Sequence, residues 1–107
     1  MNSIEQQDLY GKSNYEIVMD LGARLRSYRI ALRLTQEEVA RQAGVSVLTL
    51  ARFERGAAPA IGLSHFVGLM RAVGQLEGIT ACVPEIPDSL YGKRVASQRV
   101  RRRKNEE

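Results

Sequence analysis

The apolar positions divide the chain into helical segments. Ile17, Leu21, Leu25, Tyr28 and Leu32 recur at steps of four, four, three and four, the repeat of one helix face. Ser13-Asn14-Tyr15-Glu16 precedes them and matches a capping box, in which the serine oxygen accepts a helix N–H and the glutamate returns a bond to the cap. The spacing predicts a helix from about Asn14 to about Arg33. Thr35 and Glu38 repeat the pattern, so a second helix begins at Gln36, with Val39, Ala40 and Ala43 on one face and Glu37, Glu38, Arg41 and Gln42 elsewhere. Gly44 stops it, because glycine takes the left-handed conformation without a Cβ clash. Ser46 is the next N-cap candidate, and a third helix from about Val47 to Arg55 buries Leu50 and Phe53 before Gly56. After a loop at Ala57-Ala58-Pro59-Ala60, the stripe Leu63, Phe66, Val67, Met70 and Val73 predicts a fourth helix, ended by Gly74. Residues 75–82 predict a short fifth helix carrying Leu76 and Ile79, closed before Pro84 because the residue preceding a proline avoids the helical region.

The fold class is therefore all-α, with four or five helices in one compact domain. The boundaries read as an N-terminal extension at 1–12, the domain at 13–83, and a proline-bounded basic tail at 84–107, with Pro84 and Pro87 at the edge.

The second and third helices, joined by three or four residues, have the layout of a helix-turn-helix, whose second helix can enter a DNA major groove. A generic helical hairpin in a small bundle is the alternative, but several separately constrained positions agree here. Gln36 opens the first of the two helices, Ala40 lies at their close crossing, Gly44 sits in the turn, Val39, Ala43, Val45, Leu50 and Phe53 are apolar, and Glu54-Arg55-Gly56 closes the unit. In these positions the sequence resembles the lambda-repressor-like, or Xre/Cro, family over Leu21 to Val73. The resemblance implies a compact lambda-repressor-like DNA-binding domain with a flexible basic tail. It also implies a sequence-specific transcriptional regulator, a repressor that binds double-stranded DNA as a homodimer, with two recognition helices about 34 Å apart.

The resemblance further implies roles for residues. Val47, Leu48, Thr49 and Arg52 match groove-facing positions; Ser46 and Gln36 match positions that touch phosphate or brace the neighbouring contact. Arg29 and Glu54 match a buried structural ion pair. In chemical terms, Arg52 can bond guanine O6 and N7 together, whereas Val47 and Leu48 offer only apolar contact suited to a thymine methyl. This departs from the Gln, Arg or Asn often found there. The apolar pair has a second reading, packing against another chain or an extension of the first helix, because exposed apolar residues mark interfaces. Ala57 and Ala58 depart similarly, standing where the family carries polar or basic side chains.

The chain has 107 residues, 44% of them hydrophobic, enough for one small core and no second domain. No apolar run is long enough to cross a bilayer, and MNSIEQQDLYGK lacks the charged start and apolar centre of a secretion signal. The expected location is the cytoplasm, with no membrane partner. Cys82 is the one cysteine, so an intramolecular disulfide is impossible and a reduced, half-buried thiol is expected.

Net charge is +4, and its placement is uneven. Residues 93–107 hold seven Lys/Arg and two Glu, a balance of +5, leaving −1 for residues 1–92. Arg99, Arg101, Arg102, Arg103 and Lys104 are candidates for contact with the DNA backbone, where they would release condensed counterions, or with an acidic protein partner; a merely solvated end is the plain alternative. In the body, Arg24, Arg26, Arg29 and Arg33 fall within ten residues without an acid. Arg29 lies beside the apolar stripe; the other three point toward solvent or a phosphate backbone.

Catalytic chemistry finds little to use. His65 is the sole histidine and reads as a helix-surface residue; no nucleophile–base pairing, phosphate-cradling glycine loop or metal-ligand spacing is present. The expectation is a non-enzyme without cofactor or metal. The alternative to a plain regulator is the antitoxin of a toxin and antitoxin pair, as in HipB-like antitoxins on this domain, which bind a toxin protein and repress their own promoters.

Overall fold

The structure, a computed structural model, describes residues 8–57 and 60–90. All regular secondary structure among them is helical. The elements are α1 (Asn14–Ala31), α2 (Gln36–Ala43), α3 (Val47–Glu54), α4 (Leu63–Ala72), α5 (Glu77–Cys82) and the single turn α6 (Asp88–Leu90); residues 8–10 add a helical turn ahead of α1. α2 and α3 follow the sequence reading to within one residue. α5 starts two residues later than expected, because Leu76 acts as its cap. α6 lies in the segment read as tail.

Leu25, Val39, Ala40, Leu50, Phe53, Leu69 and Val73 form the buried core, ringed by partly buried Val18, Leu34, Ala43, Val45 and Phe66. Fully burying a side chain such as Leu50 or Phe53 contributes about 1.5–3 kcal/mol. Phe53 and Phe66 meet edge to face, ring centroids 6.0 Å apart at 81°, an orientation that sets positive ring edge against negative ring face. α2 packs against both α3 and α4, and α1 packs on α3.

The inward face of α1 differs from the expected stripe. Leu25 is buried, but Leu21, Tyr28 and Leu32 are 38%, 46% and 51% exposed. The face that meets the core runs instead through Val18, Gly22, Leu25 and Arg29. Gly22 explains the rotation: a Cβ there would collide with the Phe53 carbonyl oxygen, so only glycine lets the α1 backbone lie this close to the end of α3. Gly68 does the same on α4, where an added Cβ would stand 2.5 Å from the Ala43 carbonyl oxygen. Cys82 also departs from the reading: it is exposed, since α5 packs mainly along α4 and has no fully buried residue.

Both capping boxes form. Ser13 and Glu16 close the start of α1, and Thr35 and Glu38 that of α2. The four longer helices end alike. After α2, the Val45 N–H donates to the Ala40 carbonyl (3.0 Å) and the Gly44 N–H to that of Arg41 (3.3 Å), the paired bonds that a left-handed residue makes possible. Gly44 has φ 74°. Gly56 and Gly74 close α3 and α4 through equivalent bonds. At the end of α1 the left-handed residue is Arg33, φ 59°, with the Leu34 N–H donating to the Arg29 carbonyl and the Arg33 N–H to that of Ile30.

Candidate nucleic-acid interface

Three residues, Gly44, Val45 and Ser46, turn the chain from α2 into α3. Ser46 then starts α3: its Oγ accepts from the Thr49 N–H (3.0 Å) and its hydroxyl is hydrogen-bonded to that of Thr49 (2.9 Å). Because each hydroxyl can donate as well as accept, one O–H of the pair is taken up between them and the other is free to donate outward. Beside it stand Val47, 40% exposed, and Leu48, 55% exposed. Arg52 is also exposed, and no carboxylate pairs with it among the described residues. The outer face of α3 therefore presents two apolar tips, one hydroxyl donor and one guanidinium.

The opposite face of α3 is fixed. Leu50 and Phe53 enter the core, and Glu54 is held by three groups. Arg29 Nε donates to Glu54 Oε2 (2.7 Å) and Arg29 Nη2 to Oε1 (2.9 Å), a bidentate fork. Gln36 Nε2 donates to Oε1 (3.1 Å). Arg29 Nη1 donates to the Leu34 carbonyl (3.0 Å). A carboxylate at a helix C-terminus faces the negative end of the helix dipole, and the guanidinium offsets that repulsion. The Glu54 hydrogen bonds raise the Arg29 pKa above its usual value, against the opposing effect of burial. No buried side-chain nitrogen or oxygen among the described residues lacks a partner. The cluster ties α1, the segment before α2, α2 and α3 into one frame.

The residues singled out in the sequence thus divide into two groups. Val47, Leu48, Thr49 and Arg52 lie along the outer side of α3, the first three in its first turn and Arg52 in its last. Gln36 is half-buried with its amide on Glu54, and Arg29 is neutralised within the frame, away from the outer face. His65 is exposed on α4. Arg99, Arg101, Arg102, Arg103 and Lys104 lie outside the described residues, as do Ala58 and Pro59.

Sequence reasoning missed a second tie. The Tyr15 hydroxyl donates to the Gly56 carbonyl (3.1 Å), and the Met19 side chain lies against the same glycine. The first turns of α1 therefore brace the turn after α3. Tyr15 and Met19 at i and i+4 on α1 were the available signal.

Two short helices set across a three-residue turn, one buried by its inner face and bare on its outer face, define a helix-turn-helix. A family model described as a helix-turn-helix domain matches residues 20–77, more than half of the chain. The chain belongs to that family, which carries DNA-binding regulators. Comparison with curated proteins gives no match. No helix among the described residues is long and apolar enough to cross a membrane.

Proposed function

We propose that this chain is a sequence-specific double-stranded DNA-binding transcriptional regulator of the lambda-repressor-like Xre/Cro type, acting as a repressor in the cytoplasm. The observation that carries the reading is the outer face of α3, where Val47, Leu48, Thr49 and Arg52 stand clear of the core on a helix braced from behind by Arg29 and Glu54. In the groove, Arg52 forks onto guanine O6 and N7, and Val47 and Leu48 meet thymine methyl groups. Ser46 stands beside the phosphates, and Gln36, its amide held on Glu54, braces the neighbouring contact. The basic residues of the tail add sequence-independent affinity through counterion release. Selection of binding sites from a random duplex pool with purified protein tests this; enrichment of no motif would refute sequence-specific reading.

A homodimer is part of the proposal. Leu63 is 76% exposed on α4, Phe66, Met70, Leu76 and Ile79 are half-buried, and a groove between α1 and α4 is lined by Leu21, Tyr28, Phe66, Met70 and Val73. So much apolar surface on a small body suits a two-fold contact. Sedimentation showing only monomer at tens of micromolar (an order-of-magnitude choice for detecting a micromolar dimer), with and without DNA, would refute it.

A second reading, the antitoxin, draws on Val83, Ile86 and Leu90, which are 85%, 45% and 54% exposed beyond α5. These apolar side chains lie outside the DNA-reading face and suit a protein partner. Its test is copurification with the product of a neighbouring gene; loss of binding on Ile86→Ser and Leu90→Ser would support it.

A further inference from the structure

Arg33 occupies a backbone conformation that its side chain disfavours. Its φ is 59°, and it is the one non-glycine residue with positive φ among the described residues. It closes α1 with the same pair of hydrogen bonds that Gly44, Gly56 and Gly74 use to close α2, α3 and α4. At three of these four ends the left-handed position is held by a residue without a Cβ. The fourth carries a long cation in a region where non-glycine residues are uncommon and Asn or Asp are preferred over Arg.

A residue kept in a disfavoured conformation points to a use for its side chain. Helix-end electrostatics accounts for part of it, because a cation near a C-terminus is favourable. Yet Arg29 already reaches the end of α1, with Nη1 on the Leu34 carbonyl, and a cation in the right-handed last turn would serve equally well. The left-handed step turns Leu34 in against the core and leaves Arg33 exposed. The guanidinium therefore sits on the outer corner between α1 and α2, two residues ahead of Thr35, the N-cap of α2.

That corner belongs to the helix that crosses the DNA backbone in a helix-turn-helix, while the following helix enters the groove. The first turn of α2 carries Glu37 and Glu38, which repel phosphate. Arg24, the other cation of α1 with a described partner on the surface, is bonded to Asp20 at 3.1 Å. Arg33 has no carboxylate partner among the described residues. We propose that Arg33 is a phosphate-gripping residue of the DNA interface, held in a disfavoured backbone conformation because its charge is used at the point where α2 meets the DNA backbone. The proposal rests on the DNA-binding reading of the α2–α3 unit.

The test measures binding to a labelled random-sequence duplex, about three helical turns long, across a series of salt concentrations, together with thermal melts of the full chain. Arg33→Gly relieves the backbone and removes the charge. Its melting temperature should stay at or above that of the wild type, while its salt slope falls by about 0.9. That slope corresponds to about eightfold in affinity over one decade of salt, applied to all sequences alike. Arg33→Lys should keep the slope. Arg33→Asn, which tolerates the same conformation, supplies a second uncharged variant should the glycine melt lower. Unchanged slope and affinity in both uncharged variants would overturn the proposal, as would a lower melting temperature with an unchanged slope, the mark of a purely helix-end role. A wild-type chain that binds no duplex at any salt would overturn the DNA-binding reading and the inference together; one that binds with a slope indifferent to Arg33 overturns the inference alone.

Discussion

Arg29 and Glu54 are joined by two parallel hydrogen bonds of 2.7 and 2.9 Å, with their side chains 12% and 2% exposed. The pair links the first helix of the domain to the last residue of the helix proposed to read DNA. An ion pair this buried does not by itself add stability over an apolar pair, but it is costly to break, since either partner alone is an uncompensated buried charge.

Glu54→Ala should accordingly destabilise by about 3–5 kcal/mol, a large part of the roughly 5–15 kcal/mol that holds a domain folded. The Gln36 amide would be left without its acceptor as well. Chemical denaturation gives the readout, and an unchanged midpoint would contradict the burial of the pair.

Gly22→Ala should rank among the more damaging single-methyl additions in the chain. The new methyl meets the Phe53 carbonyl, part of the backbone rather than a side chain that can swing away, so α1 must shift off α3. Overpacking of this kind costs about 1–3 kcal/mol, occasionally more. Gly68→Ala, against the Ala43 carbonyl, should behave similarly, whereas alanine at Gly78, whose nearest neighbour is the Met70 methyl at 3.4 Å, should be tolerated. Comparing the three melts separates backbone collision from helix propensity.

The sequence reveals features whose determinants lie close together along the chain. Ser13 with Glu16, Thr35 with Glu38, and Gly44 each announce a helix boundary within a few residues, and the structure places α2 and α3 accordingly. The inner face of α1 was not legible. Two of its inward positions are Gly22 and Arg29, one without a side chain and one charged, so apolar periodicity selects Leu21, Tyr28 and Leu32 instead. The resemblance already paired Arg29 with Glu54, but nothing along the chain marks Gly22, whose inward position only the distant Phe53 carbonyl explains. Arg33 is hidden for a related reason: nothing in its own chemistry marks a left-handed position. On the candidate interface, the residue types on α3 could be read from the chain, but the bond between the Ser46 and Thr49 hydroxyls could not.

Arg52→Ala should weaken binding to a selected site by about 1–3 kcal/mol and relax preference at one base pair. Deleting the chain after Gly92 should instead weaken all sequences alike and leave the selected motif intact. Its salt slope should fall by about 0.9 for each phosphate that the tail no longer neutralises. An Arg52→Ala protein with the wild-type motif and affinity would remove α3 from the groove.

The two capping boxes should make the domain acid-sensitive. Hydrogen bonds from Ser13 hold Glu16 below the ordinary carboxylate value of 4.5, and those from Thr35 do the same for Glu38. A depressed folded-state value means that the contribution is fully present above pH 4.5 and is lost as pH falls through the lowered values. Glu16→Gln with Glu38→Gln should therefore flatten the melting temperature against pH over the acid range. A double variant with the wild-type acid profile would show that the boxes do not respond to protonation.

The side chains of Val47, Leu48 and Arg52 take no part in the hydrogen bonds described within the domain, and none belongs to the core. Ser46 and Thr49 are the exceptions on that surface, because they bond to each other at the start of the helix. Natural variation can consequently exchange those three side chains with little effect on folding. New binding preferences can arise on an unchanged scaffold, one position at a time, without passing through unfolded intermediates in sequence space.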